Sequence, residues 1–256
     1  MLDVMLVGAC GKMGRIMAGM IEQEENMRVV CGVDIIEYKD SEYKDSPFPM
    51  YTDPFVFEDK AGVIIDFTRA DGLEHLLDYA VKTRTPAVIA TTGLDAAHKS
   101  AVSVASRTVP IFMSANMSLG VNLLIQLVKK AAASLGGFDI EIVEKHHNTK
   151  LDAPSGTAVM LAEAAESALP YQPRQVFDRH SVRRKREPNE IGMHAIRGGT
   201  IVGEHDVIFA GHDEIVTLSH SARSRDVFAA GAIAAARFIA TMPPGLYSMD
   251  DLIGTV

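Results

Sequence analysis

VMLVGACGKMG, residues 4–14, decides how the rest of this sequence is read. Four apolar residues in succession suit a strand, and Gly8, Gly11 and Gly14 then fall at a turn inside which a helical pattern begins. Glycines there let the chain turn tightly and let a pyrophosphate approach backbone N–H groups at a helix N-terminus. The spacing departs by one residue from the commoner G-x-G-x-x-G, but the strand–turn–helix setting that such a loop requires is present. Asp34 closes the following strand, twenty residues after Gly14. A carboxylate at that point accepts hydrogen bonds from ribose hydroxyls and repels a 2′-phosphate, which leans the cofactor towards NADH; Lys12, Arg15 and Lys39 leave NADPH open. Cys10 sits where a helix dipole could activate a thiol, but it has no C-x-x-C partner and reads as a small residue in a crowded turn.

Outward from that turn, the first half alternates strand and helix patterns. Strands are expected at residues 4–7, 29–33, 62–67, 87–90 and 111–114, with helices at 12–23, 71–83 and 96–106. Five alternating strands predict a parallel, doubly wound sheet. The stretch at residues 35–54, IIEYKDSEYKDSPFPMYTDP, is rich in charge, proline and serine and reads mostly as mobile surface loop. The rhythm changes at Leu119. A long amphipathic helix to about Leu135 leads to a strand at 139–143, a polar loop, and a helix opened by Pro154, Ser155 and Gly156. Strands then follow without intervening helices, alternating around the Gly211–His212–Asp213 turn, as antiparallel or mixed pairing requires. The fold class is therefore α/β with a second α+β domain, and an apolar helix at 227–241 is free to return to the first.

The densest chemistry lies in EKHHNTKLDAPSGTA, residues 144–158. The start of a helix offers unpaired amides and the positive end of its dipole, so Ser155, Gly156 and Thr157 form an anion-binding turn. His146, His147 and Lys150 add donors or positive charge beside it, and a small acidic substrate is the expected ligand. An imidazole gives or takes a proton near neutral pH, and a lysine can donate one, so His146 and Lys150 are candidates to quench the electron density that hydride transfer leaves on a carbon conjugated with an imine. The histidines lack H-E-x-x-H or C-x-x-C spacing, and no metal is expected.

Composition narrows the classes. With 47% hydrophobic and 23% charged residues, the chain is an ordinary globular one. A net charge of −8 argues against nucleic acid as a partner, even though residues 179–186 hold five Lys or Arg; those lack interleaved aromatics and read as a solvated loop that could fold over an anionic site. The apolar run at 229–242 is broken by Arg237 and too short for a membrane helix. The start MLDVMLVG carries no basic leader, so the cytosol is the expected compartment.

Together, VGACGKMG (7–14), DFTR (66–69), ATTG (90–93), SANMSLGVN (114–122), EKHHNTKLDAPSGTA (144–158) and IRGGTIVGEH (196–205) resemble the dihydrodipicolinate reductase family over essentially the whole chain. The resemblance implies a Rossmann-like domain at residues 1–117 plus 226–256 and a substrate-binding and oligomerisation domain at 118–225, assembled as a homotetramer through the second domain's sheet. It implies NAD(P)H-dependent reduction of 4-hydroxy-tetrahydrodipicolinate in the diaminopimelate route to lysine. By position, Gly8, Ala9, Cys10, Gly11, Lys12, Met13 and Asp34 hold the dinucleotide, with Arg69 near it. Ala90, Thr91, Thr92, Ser114, Ala115, Asn116 and Met117 line the nicotinamide side. His146 becomes the proton donor or acceptor and Lys150 a second donor, while His147, Ser155, Gly156 and Thr157 hold the substrate carboxylates. Ile35 stands where the family's usual basic residue follows the ribose-binding acid, which weighs against strong NADPH preference. Two rivals share the glycine turn: another dicarboxylate or semialdehyde oxidoreductase, and a non-catalytic nucleotide sensor.

Overall fold

A computed structural model of the protein describes residues 1–35 and 46–254. The chain begins with β1 (Leu2–Val7), α1 (Lys12–Glu22), β2 (Met27–Val33), β3 (Met50–Tyr51), β4 (Val63–Asp66), α2 (Leu73–Thr83), β5 (Ala87–Ile89), α3 (Ala96–Ala105) and β6 (Pro110–Met113). It then builds α4 (Leu119–Ser134), β7 (Asp139–His146), α5 (Gly156–Ala168), β8 (Arg174–Val176), β9 (Glu190–Arg197), β10 (Gly203–Ala210) and β11 (Ile215–Ala222), and ends with α6 (Asp226–Ile239), β12 (Gly245–Tyr247) and α7 (Met249–Ile253). Two units result: Met1–Ser118 with Asp226–Gly254, and Leu119–Arg225.

The first unit is a seven-stranded parallel sheet in the order β12-β6-β5-β4-β1-β2-β3. Its strands are apolar on both faces because helices cover both. Val4 and Leu6 enter a core with Met17, Ile21, Ala232 and Ala236 of α1 and α6, whereas Met5 and Val7 enter another with Leu73, Leu77 and Val102 of α2 and α3. Burying a side chain such as Leu6, fully enclosed here, contributes about 2 kcal/mol. The strand order reverses at β1, so the loops after β1, β2 and β4 all open at the edge where parallel sheets bind ligands. Two edge strands exceed the five expected. With two and three residues, β3 and β12 are too short to carry a periodic signal. Part of the expected surface loop is therefore sheet edge, Met50 pairing with Gly32; residues 36–45, Lys39 among them, lie outside the described residues.

The second unit is a five-stranded mixed sheet, β11-β10-β7-β9-β8, with α4 and α5 packed on one face. Here β7 pairs in parallel with β9 and antiparallel with β10, which in turn pairs antiparallel with β11. The expected strand end at Val143 is corrected: β7 runs on to His146. The basic run at 179–186 is also not a freely solvated loop. On the sheet's other face, Arg179 bonds Glu190 (2.7 Å) and Glu141 (2.9 Å), Arg184 bonds Glu190 (3.0 Å), and Arg186 bonds Asp139 (2.7 Å) and Glu141 (3.1 Å). Those guanidiniums are held by carboxylates of this same chain rather than offered to phosphates. Among the described residues, no helix is long and apolar enough to cross a membrane.

Candidate functional site

The turn after β1 is shaped by what its glycines lack. Gly8 has a φ of +81°, and a Cβ on Gly14 would lie 2.2 Å from the Gly8 carbonyl oxygen and 2.7 Å from Ala9 Cα. Only glycine lets α1 begin this close to the strand. Gly11 caps α1 with no side chain on its amides and no acid in the first turn, which leaves the positive helix end facing the loop. The Cys10 N–H donates to the Asp34 carboxylate at 2.9 Å, tying the turn to the end of β2. Burial, with Asp34 adding to it, raises the Cys10 pKa and keeps it a thiol, so the activated-thiol alternative gains no support. Ala9 and Met13 pack into the core, while Lys12 is exposed at the first position of α1.

Of these residues, Gly8, Gly11 and Asp34 line a cavity of about 560 Å³, together with Ile35, Arg69 and His75 among others. An adenosine and pyrophosphate fit such a cradle: a glycine turn, an open helix start, and a carboxylate for ribose hydroxyls. His75 was not foreseen. It reaches the cavity from α2, held by Asp53 at 3.0 Å. Beside the cavity, Asp66 is fully buried and accepts from the Thr68 N–H (2.9 Å), the Thr68 hydroxyl (2.6 Å) and the Thr91 hydroxyl (2.7 Å). Burial pushes its pKa up against those hydrogen bonds. Asp66 thereby joins the loop that carries Arg69 to the loop of Ala90, Thr91 and Thr92, and the Thr91 hydroxyl is committed to that link. The loop after β6 is tied internally: Ser114 donates to the Asn116 carbonyl (2.7 Å), and the Asn116 side chain accepts from Ser118 N–H (2.9 Å). Ala115 is exposed, and Met117 is in the core.

In the second unit, register builds the site. On the helix-covered face, Val216, Phe209, Ile140 and Ile191 form one row across the strands, and Leu218, Val207, Ile142 and Met193 the next. The following rows turn polar: His220, His205, Glu144 and Ala195, then His146 and Arg197, with Gly203 beside the His146 ring. Because side chains alternate along a strand, Glu144 and His146 point to the same side as Ile140 and Ile142. Extension of β7 separates the adjacent imidazoles: His146 is buried on this face, while His147 lies past the strand end, its ring bonded to Thr149 at 2.7 Å.

Glu144, 1% exposed, is the hub. It takes His146 Nδ1 at 2.6 Å, both terminal nitrogens of Arg197 at 2.6 and 2.7 Å, and the Ser155 N–H at 3.1 Å. Burial pushes its pKa up, but the hydrogen bonds and charges of Arg197 and His146 outweigh burial and hold it below the ordinary carboxylate range. Ser155 caps α5, accepting from Ala158 N–H at 3.1 Å, and its hydroxyl also meets His205 Nε2 at 2.9 Å. The N–H and hydroxyl of Ser155 are thus both engaged inside the protein, directly ahead of Gly156 and Thr157, which open α5. Burial first, then the charge of His146, lowers the His205 pKa to about 4, so this ring is neutral. Lys150 stands at 2.8 Å from Asp152. Among the described residues, no group of three or more His, Cys, Asp or Glu side chains could hold a metal ion. Glu144, Arg197 and His205 were missed as site residues. The signal was the apolar alternation at 140 and 142, whose next two positions are an acid and an imidazole.

Comparison with known proteins places both halves of the chain. The family model described as dihydrodipicolinate reductase, N-terminus, matches residues 2–117, and that for the C-terminus matches residues 120–253. A 4-hydroxy-tetrahydrodipicolinate reductase of Caldanaerobacter subterraneus subsp. tengcongensis is 51% identical over 253 residues, 99% of this chain and 98% of the relative. One from Clostridium botulinum is 44% identical over 256 residues, 99% of each. Among solved structures, a dipicolinate-bound dihydrodipicolinate reductase from Paenisporosarcina sp. TG-14 superposes with a TM-score of 0.83 at 23% identity, covering 99% of this chain and 100% of that one, which speaks to the fold.

Proposed function

This chain belongs to the dihydrodipicolinate reductase family, and from that premise we propose that it catalyses the NAD(P)H-dependent reduction of 4-hydroxy-tetrahydrodipicolinate to tetrahydrodipicolinate, with loss of water, on the diaminopimelate route to lysine. One observation carries the reading: a single carboxylate, Glu144, touches both the His146 imidazole and the N–H of Ser155, the cap residue just before α5 opens at Gly156 and Thr157. Proton transfer and anion binding then share one rigid support. The dipicolinate-bound relative supports a small dicarboxylate as the ligand class.

In this reading, residues 1–117 plus 226–256 bind the dinucleotide, and residues 118–225 bind substrate and form the oligomer. The cofactor, when bound, supplies the hydride. Gly8 through Met13 hold its pyrophosphate and Asp34 its ribose, with Arg69, Ala90 to Thr92 and Ser114 to Met117 as further contacts. His147, Gly156 and Thr157 hold the ring's carboxylates, with Ser155 fixing the turn. His146 delivers a proton and Lys150 serves as a second donor. Fixing a ring in reacting geometry can supply roughly 7–11 kcal/mol of a barrier, so rigidity at these carboxylate contacts matters as much as the proton. Asp34 with the uncharged Ile35 favours NADH over NADPH. We place the enzyme in the cytoplasm as a homotetramer. The open face of the second sheet, where Ile196 is 46% and Ile215 68% exposed, supports that sheet as the assembly surface.

The test is direct. Generate the substrate from pyruvate and aspartate semialdehyde with the preceding synthase, add this protein and NADH, and follow nicotinamide absorbance. Turnover is expected. A different dicarboxylate oxidoreductase, or a sensor, would leave NADH unconsumed.

A further inference from the structure

We propose that Glu144 is the positioning residue for His146, fixing which ring nitrogen faces the substrate; this deepens, and rests on, the reduction proposed above. The Glu144 carboxylate is saturated with donors. An ionised carboxylate accepts about four hydrogen bonds and donates none. Glu144 meets four donor positions: Oε2 takes His146 Nδ1 and one Arg197 nitrogen, and Oε1 takes the other Arg197 nitrogen and the Ser155 N–H. Arg197 and the backbone amide can only donate, so the carboxylate has no proton of its own to offer the ring. His146 must therefore carry hydrogen on Nδ1, and Nε2 is left as the working nitrogen.

The surroundings agree. The space beside Nε2 is kept open by Gly203, where a Cβ would lie 3.1 Å from that atom. The ring's other aromatic neighbour, His205, meets it edge-on at 5.2 Å between centroids and 74°, with its own Nε2 committed to Ser155. Arg197 bridges further, donating also to the Asp152 carbonyl at 2.7 Å, so the carboxylate cannot swing away from the ring without leaving a guanidinium short of partners. Because Ser155 N–H binds the same carboxylate, the orientation of the imidazole and the start of α5 are set together.

Glu144→Gln keeps the shape but puts an NH2 where only acceptors are satisfied, which turns a donor onto either His146 Nδ1 or the Ser155 N–H. The experiment combines ¹⁵N-histidine NMR of the resting protein with kinetics. In wild type, His146, assigned by loss of its signals in His146→Gln, is expected with Nδ1 protonated and with an exchange-protected proton downfield of the amides. In Glu144→Gln that proton disappears and kcat falls roughly 10- to 100-fold, the usual cost of losing a residue that orients a functional histidine. KM for NADH stays within about twofold, since the dinucleotide loop is untouched. A wild-type His146 with bare Nδ1 and a proton on Nε2 would overturn the proposal, and so would a folded Glu144→Gln with unchanged kcat and an unchanged Nδ1 proton signal. Should that variant fail to fold, the wild-type tautomer decides alone. Wild type that shows the expected tautomer but consumes no NADH with the cyclic diacid would sink the proposed reaction and leave the pairing standing.

Discussion

The glycine turn at residues 8–14 and the polar end of the second sheet are built from opposite materials. The turn works by omission: at Gly14 a single added carbon would meet the Gly8 oxygen at 2.2 Å. The sheet end works by saturation, since at Glu144 every lone-pair position has a donor and the loss of any one leaves a buried charge short. Omission is local and sterically absolute. Saturation depends on three segments, β7, β9 and the cap of α5, arriving in register, so it is cooperative and titratable, which suits proton transfer.

That contrast can be broken at graded points. The largest effect is expected from His146→Gln, which should lower kcat roughly 100- to 10,000-fold with modest change in KM; steady-state kinetics showing full turnover would remove the proton role. Next, Arg197→Ala leaves Glu144 buried without its bidentate partner and should destabilise the fold by about 3–5 kcal/mol in urea titration, beyond what a surface guanidinium would cost.

A pH series sharpens the same point. His205 has a folded pKa of about 4, below its unfolded 6.5, so the unfolded chain binds the extra proton between those values. Stability is therefore fully present above pH 6.5 and lost as pH falls towards 4, by roughly 3 kcal/mol. Glu144, held net below its ordinary range, adds to the loss in stronger acid. A flat urea-denaturation profile over this window would contradict a neutral, buried His205. The smallest effect belongs to the turn: Asp34→Ala removes the acceptor of the Cys10 N–H and the carboxylate proposed to hold the ribose, and the NADPH-to-NADH ratio of kcat/KM should rise about tenfold. A native enzyme already strongly preferring NADPH would defeat the NADH reading.

What could be read from sequence follows the same division. The turn, its strands and Asp34 lie within 31 consecutive residues, Val4 to Asp34, and local rules suffice. The short edge strands β3 and β12 escaped because two or three residues carry no period. His146 and the cap of α5, which meet at Glu144, were singled out by chemical density alone. Glu144, Arg197 and His205 were not, for two physical reasons. Polar residues at the end of β7 looked like loop, when the inward alternation was in fact continuing. Arg197 and His205 gain meaning only from the pairing of β9 and β10 with β7, which no local pattern states. His75 reached the cavity by a tertiary route too.

The central claim is that the helix-covered face of the second sheet, at the start of α5, grips a cyclic dicarboxylate. Calorimetric titration of pyridine-2,6-dicarboxylate in the presence of NADH tests it most directly, comparing wild type with Thr157→Val at the helix start and His194→Ala on the opposite face. The account predicts at least about tenfold weaker binding for Thr157→Val and unchanged binding for His194→Ala. Equal affinity in all three proteins, or weakening confined to His194→Ala, would contradict it.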